Sequence, residues 1–318
     1  MKRSGVSSKR SFAQEVVVAD SWIIETAALR KSYDGVEALR GLDLQVPRGS
    51  ICGFLGRNGA GKTTTIKILL GMASPAGGSA RVFGLDVTSA NESVEIRRRT
   101  GFVSEDKDLY DSMTVAETTR FTASFYPRWR RDLEQKYLDK FDLPHDRNVK
   151  ALSRGMRTKL ALMLALCRGS ELLILDEPTS GLDPAMAEEV LQALVGHVAR
   201  EEMTIFFSSH QIAEVDQIGD RVVIIDRGRA VVTGALDDLR EHFRRIQLVF
   251  EGTPPPAIAF HTPGITRVQR NGRVVSVLTS AGANLIAEEA RAWSPASVEI
   301  TPVTLKEIFL ESINMEGD

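Results

Sequence analysis

Between Gly56 and Thr64 the chain reads Gly56-Arg57-Asn58-Gly59-Ala60-Gly61-Lys62-Thr63-Thr64, with the spacing G-x-x-x-x-G-K-T. These residue types at this spacing bind polyphosphate. Glycines let successive backbone amides turn inward into a nest, and a helix that follows adds the positive end of its dipole. In such a loop Lys62 pairs with β- and γ-phosphate oxygens, and the Thr63 hydroxyl ligates Mg²⁺. The bland alternative is a glycine-rich turn that holds a lysine by chance. Context argues against it, because Ile51–Leu55 is apolar and strand-like and residues 64–70 favour a helix. That is the strand–loop–helix setting the motif requires, and it implies binding of a nucleoside triphosphate.

Two further groups suit the same chemistry. Leu172-Leu173-Ile174-Leu175-Asp176-Glu177 is an apolar run ending in two acids. In a protein with such a loop, an aspartate ending a neighbouring strand reaches the metal, which assigns Asp176 beside Thr63. Glu177, one residue further, is placed to orient or deprotonate the water that attacks the γ-phosphate. An acidic strand end facing solvent is the competing reading, and the phosphate loop tips the balance. His210 follows Ser208-Ser209 at the end of another apolar strand. At the carboxyl edge of an open sheet a histidine faces the ligand crevice, where its imidazole donates to a phosphate or orients a neighbour.

The surrounding pattern predicts the elements that hold these groups. Strands are expected at 23–29, 42–46 and 79–83, punctuated by Asp34-Gly35 and Pro47-Arg48-Gly49. Residues 91–154 read as mostly helical, with 115–125 and 132–141 the stronger segments, and Ser153 caps a helix over 156–167. Strand, helix, strand, helix and strand are expected at 172–175, 184–200, 204–208, 212–218 and 222–226. This alternation predicts an α/β core with a parallel sheet. After about Arg240 strands at 247–250 and 274–278 and helices at 283–293 and 304–313 predict a small α+β domain without recognisable chemistry. Residues 1–21, with a basic, serine-rich start and no apolar core, read as a flexible tail and not as a secretory signal.

Composition narrows the classes. With 43% hydrophobic and 26% charged residues the chain reads as a soluble globular protein. A net charge of −2 argues against a general nucleic-acid binder. Cys52 and Cys167 lie in apolar runs without metal spacing, as core thiols of a reducing compartment do. No apolar stretch approaches the ~18 residues needed to span a bilayer. A cytoplasmic location is expected, with any membrane association through a partner.

In this order the motifs resemble those of the ATP-binding subunit of an ABC transporter, over about residues 23–240. Seven elements match. Tyr33 stands where the family stacks an aromatic on adenine, Gly56–Thr64 is the phosphate loop, and Gly101-Phe102-Val103-Ser104-Glu105 resembles the Q-loop. Leu152-Ser153-Arg154-Gly155-Met156 resembles the signature, the run ending in Asp176-Glu177 the Walker B strand, Ser180-Gly181-Leu182-Asp183 the D-loop, and His210 the switch histidine. The resemblance implies a P-loop ATPase core: a RecA-like parallel sheet, an antiparallel β subdomain and a helical signature subdomain at about 91–160. The implied cofactors are ATP and Mg²⁺, with Glu105 joining Thr63 and Asp176 at the metal and Ser153, Gly155 and Asp183 near nucleotide.

Three positions depart from the family's commoner pattern. The signature usually reads L-S-G-G-Q, but Arg154 replaces its first glycine and Met156 its glutamine, while Glu105 stands for the Q-loop glutamine. Ser153 and Gly155 remain, so a hydroxyl, a backbone nest and a helix dipole still meet a phosphate. Arg154 either contacts phosphate or faces solvent, and Met156 packs at the helix start. Glu105 keeps a hard oxygen for Mg²⁺ but adds negative charge beside the γ-phosphate. With Ser124-Phe125-Tyr126-Pro127, these departures resemble ABC-2-type exporters related to drug-resistance and acetoin-utilisation ATPases.

The family sandwiches ATP between the phosphate loop of one subunit and the signature of another. One of each here implies a homodimer or a pair with a paralogue. A membrane permease would dock beside the Q-loop, on exposed members of the set Leu109, Tyr110, Met113, Phe121, Phe125, Tyr126 and Trp129, most of which are expected in the core. The subunit would thus lie on the inner face of the cell membrane. The competing reading is a soluble ABC ATPase acting as a nucleotide-dependent switch. The single ATPase domain, and no coiled-coil or zinc insertion, argue against ribosome- and DNA-acting members.

Overall fold

The computed structural model describes residues 22–201, 203–256 and 258–313, so the tail expected at 1–21 lies outside the described residues. Strand β1 (Trp22–Tyr33) pairs antiparallel with β2 (Val36–Pro47). The two-residue turn between them, Asp34-Gly35, has positive φ at both positions, 47° and 83°. That matches a turn whose twist suits a hairpin. Both strands run beyond the ranges expected from hydrophobic alternation, because pairing continues to the turn through residues that are mostly polar or exposed, with Leu39 alone of the added stretch fully buried.

Next come β3 (Ile51–Leu55), α1 (Lys62–Leu69), β4 (Gly77–Val82) and β5 (Leu85–Asp86). The first sheet has the order β2-β1-β4-β5. The chain continues through α2 (Ala90–Arg99), β6 (Thr100–Val103), α3 (Val115–Ala123), α4 (Arg131–Lys140), α5 (Arg154–Leu166) and β7 (Leu172–Asp176). It then forms α6 (Pro184–Glu201), β8 (Thr204–Ser209), α7 (Ile212–Ile218), β9 (Arg221–Asp226), β10 (Arg229–Ala235) and α8 (Leu236–His242). The second sheet has the order β10-β9-β3-β8-β7-β6, parallel except for β10.

Every residue of β3, β7 and β8 is buried, which is why these strands read as unbroken apolar runs. Alternation along them feeds two cores. Leu173, Leu175, Ile205 and Phe207 face one cluster with residues of α5, α6 and α7. Leu172, Ile174, Phe206 and Phe54 face the other, with β1, β2 and α1. Each such side chain contributes about 1.5–3 kcal/mol on burial.

The expected helical run at 91–154 is corrected at β6. Thr100–Val103 lies between the arginine-rich end of α2 and the following loop, and pairs in parallel with β7. Its few residues are too short a run for periodicity to separate strand from helix. The C-terminal residues form β11 (Arg244–Val249), β12 (Ile265–Asn271), β13 (Val274–Thr279), α9 (Ala283–Ala290), β14 (Ser297–Pro302) and α10 (Leu305–Ile313). Their antiparallel sheet has the order β12-β13-β11-β14. Helix α9 covers its face over Ile246, Leu248, Val275 and Val277. Helix α10 instead packs on α7 and α8, joining Leu305, Ile308 and Phe309 to Val215, Ile218 and Leu239.

Candidate active site

The phosphate loop leaves the buried end of β3 and enters α1 at Lys62. Its backbone needs glycine. Gly61 has φ 111°, and a Cβ there would lie 2.8 Å from the Ala38 carbonyl oxygen. A Cβ on Gly56 would lie 2.6 Å from the carbonyl oxygen of Ile225 on β9. The Lys62 ammonium folds along the loop, donating to the carbonyls of Gly56 at 2.7 Å and Arg57 at 3.2 Å.

Strand β7 lies between β6 and β8, and its register sets Asp176 beside Ser208. The Ser208 hydroxyl is fully buried and used twice. It donates to Asp176 Oδ1 at 2.6 Å and accepts from the Glu177 amide at 3.0 Å. Glu177 has φ 48°, a conformation that a non-glycine residue keeps only when its surroundings fix it. Its Oε2 meets His210 Nδ1 at 2.8 Å, and an ionised carboxylate there requires the proton on Nδ1. Its Oε1 lies 3.2 Å from Lys62 Nζ as an ion pair without hydrogen-bond alignment, so that buried oxygen has no hydrogen-bond partner.

The loop after Glu177 is anchored from α7. Glu214 is buried and accepts from Thr179 Oγ1 and, at 2.6 Å, from Ser209 Oγ. Lys107 donates from Nζ to the Glu177 carbonyl at 3.1 Å. Burial pushes the Lys107 ammonium below its ordinary value, helped by the nearby Arg154 cation.

A cavity of about 510 Å³ is lined by Asn58, Gly59, Gly61, Lys62, Thr63, Thr64, Glu105, Glu177 and His210, together with Ala38 and Ser180. Thr63 and Glu105 also line a neighbouring cavity of about 590 Å³ that includes Asp176. Gly56, Arg57 and Ala60 belong to the same loop but do not line the first cavity.

Other expected residues stand apart from it. Tyr33 is exposed at the end of β1, with Lys31 Nζ 4.9 Å from its ring centroid. Ser153 is exposed and caps α5, accepting from the Met156 amide at 3.2 Å. Gly155 is buried against Met186, and Asp183 Oδ1 accepts from the Met186 amide at 3.0 Å at the start of α6. Arg154 is exposed, the second of the two expectations. Its guanidinium lies across Gly181, where an added Cβ would come within 2.2 Å of Cζ. Met156 is half-buried against the core.

Sequence alone assigns no role to Ser208, Lys107 or Glu214. Only Ser208 carried a signal, as a hydroxyl at the carboxyl end of an apolar strand, and strand order was needed to set it beside Asp176. Among the described residues no three or more His, Cys, Asp or Glu side chains gather to hold a metal alone. The oxygens of Thr63, Asp176 and Glu105 still fit a hard cation that takes one or two carboxylates and completes its shell with a hydroxyl, phosphate and water.

A parallel sheet with a phosphate loop after β3 and an acidic pair at the end of β7 defines a P-loop ATPase. Residues 39–180 match the family described as ABC transporter. Over 223 residues the chain is 39% identical to the daunorubicin/doxorubicin resistance ATP-binding protein DrrA of Streptomyces peucetius, covering 68% of this chain and 66% of that one. Over 316 residues it is 31% identical to the daunorubicin resistance ATP-binding protein DrrA3 of Streptomyces coeruleorubidus, covering 95% and 98%. A solved ATP-binding subunit of an ABC transporter superposes with a TM-score of 0.62 at 29% identity, covering 69% of this chain and 92% of that one. The chain belongs to the ABC transporter family, as an ATP-binding and ATP-hydrolysing subunit.

Proposed function

We propose that this chain hydrolyses ATP with Mg²⁺ to drive a separate ABC-2-type membrane permease, in the direction of export. The carrying observation is the linkage Lys62–Glu177–His210 beside the phosphate loop in one cavity. Lys62 pairs with the β- and γ-phosphates, and the loop amides of 57–63 cradle them. Thr63 and Asp176 hold Mg²⁺, with Glu105 as a further oxygen. When bound, the cation offsets charge on the phosphate oxygens. Glu177 accepts a proton from water as its oxygen bonds to the γ-phosphorus and the bond to ADP breaks, giving ADP and phosphate. His210 keeps the carboxylate aimed.

The site is half of what turnover needs. Ser153, Gly155 and Asp183 do not line the cavity of their own chain. In a dimer, homodimeric or with a paralogue, they face the partner's nucleotide, while Tyr33 stacks on adenine. We assign residues 22–240 to the ATP-binding unit, with its helical part at about 91–160, and 241–318 to an appended α+β unit.

The permease is assigned to the surface bearing Tyr110, Phe121 and Phe125. These rings are exposed and stack edge to face, with centroids 5.4 Å and 5.0 Å apart. Leu109 and Trp129 of the same segment pack inward. Among the described residues no helix is long and apolar enough to cross a membrane. In this reading the permease holds the subunit at the inner face of the membrane. Relatives named for drug resistance support export. The test is affinity purification from detergent-solubilised membranes. A multi-span ABC-2 protein that co-purifies and raises ATP turnover supports the proposal; its absence, with turnover unaffected by membranes, opposes it.

A further inference from the structure

We infer that Lys107 is a positioning residue for hydrolysis, holding the main chain of Glu177 and tying the 104–109 loop to the group that activates water. The inference rests on the role proposed for Glu177. Lys107 is 5% exposed, in a loop where its own φ is 49°. Its ammonium donates to the Glu177 carbonyl, and among the described residues no carboxylate lies within ion-pair distance of it. Glu105, Asp176 and Glu177 attract the ammonium from further off, but its one direct partner is a carbonyl, a poor way to stabilise a fold, since an apolar side chain of similar length would pack there without the desolvation penalty.

The placement makes sense when the bonds of Glu177 are read together. Its amide is held by Ser208 Oγ, and its carbonyl accepts from both Ser180 N at 3.2 Å and Lys107 Nζ at 3.1 Å. Its backbone is left-handed, so these partners keep it out of the conformations it would otherwise favour. The direction of the carboxylate toward His210 and Lys62 follows from that backbone. Lys107 also lines the 590 Å³ cavity beside Glu105 and Asp176, with Tyr126 further along the same wall. Movement of the 104–109 loop is therefore transmitted to Glu177 by one hydrogen bond.

The test uses the full chain and compares wild type with Lys107→Met, Lys107→Arg, Glu177→Gln and the double variant Lys107→Met/Glu177→Gln. Lys107→Met should lower kcat about tenfold, with KM and ATP affinity within about twofold and an unchanged unfolding midpoint. Lys107→Arg, which still donates, should recover about a third or more of the wild-type rate. In the Glu177→Gln background the methionine should cause no further loss of single-turnover rate, because Lys107 acts through Glu177. An unchanged kcat in Lys107→Met would overturn the inference. So would a loss confined to ATP affinity, a further tenfold loss on top of Glu177→Gln, or an arginine no better than methionine. If the methionine variant does not fold, Lys107→Leu, which likewise cannot donate, is judged by the same outcomes. Near-normal turnover in Glu177→Gln alone overturns the functional reading itself. A full Glu177→Gln defect beside an intact Lys107→Met overturns only the positioning role.

Discussion

Replacing Ser208 with alanine removes one buried oxygen and two hydrogen bonds at once. The bond to Asp176 Oδ1 is charge-assisted and short, 2.6 Å, and losing such a bond costs about 1.5–3 kcal/mol. The Glu177 amide loses its 3.0 Å acceptor, and an orphaned buried N–H costs a further ~1–3 kcal/mol. Ser208 is 0% exposed, so water cannot replace the hydroxyl without rearrangement. Allowing for partial relaxation, the expected destabilisation is about 3 kcal/mol, a large share of a typical domain's stability. By the size scaling of larger domains the melting midpoint should fall by roughly 6–12 °C. Because Asp176 and Glu177 are loosened together, ATP turnover measured below the new midpoint should fall about tenfold or more. Thermal unfolding and steady-state phosphate release measure the two effects. A destabilisation below ~0.5 kcal/mol with unchanged kcat would refute the reasoning that one hydroxyl organises both acids.

Further outcomes follow for the composite site and for the two buried thiols. Ser153→Arg should leave ATP binding by the single chain intact but prevent ATP-driven dimerisation and turnover. Mixing it with Lys62→Ala should restore single-turnover hydrolysis in part, since one complete site is rebuilt; normal dimerisation of Ser153→Arg alone would rule out a signature acting in trans. Burial pushes the Cys52 and Cys167 thiols up to about 12, so at pH 8 about one in 10⁴ is a thiolate. Both should be silent to an aromatic disulfide reagent in the folded protein and both should react after unfolding. The stability gained by keeping these thiols neutral is full below their ordinary value of 9.0 and is lost as pH rises toward 12, so alkaline melting should show a falling midpoint over that window.

What could be read from the sequence was whatever rests on a spacing or a continuous run. The phosphate loop, the acidic end of β7 and His210 all lie at ends of fully buried strands, and burial on both faces makes such strands conspicuous. The cap at Ser153 was legible because an N-cap is a local bond. Strand β6 was hidden by its brevity beside Arg97, Arg98 and Arg99, and β12 by the polar run Arg267 to Asn271 that suits an edge strand. Strand β10 was missed after the turn at Arg227-Gly228, because it alternates without a strong apolar face. Helix α10 was expected, but not its packing on α7 and α8, since periodicity identifies an apolar face and not its partner. The same limit hid Lys107 and Glu214. Lys107 meets Glu177 from 70 residues away and Glu214 meets Thr179 from 35, and such pairs exist only once the topology is known.

The central claim is that Glu177 activates water in an ATP site built on Lys62. The direct measurement is MgATP hydrolysis by the full chain, wild type against Glu177→Gln, with ATP affinity determined by calorimetry on the same samples. Glu177→Gln should lose about 10²-fold or more in turnover, the scale of a missing general base, while binding ATP normally and accumulating as an ATP-bound dimer. Near-normal turnover in Glu177→Gln would contradict the account.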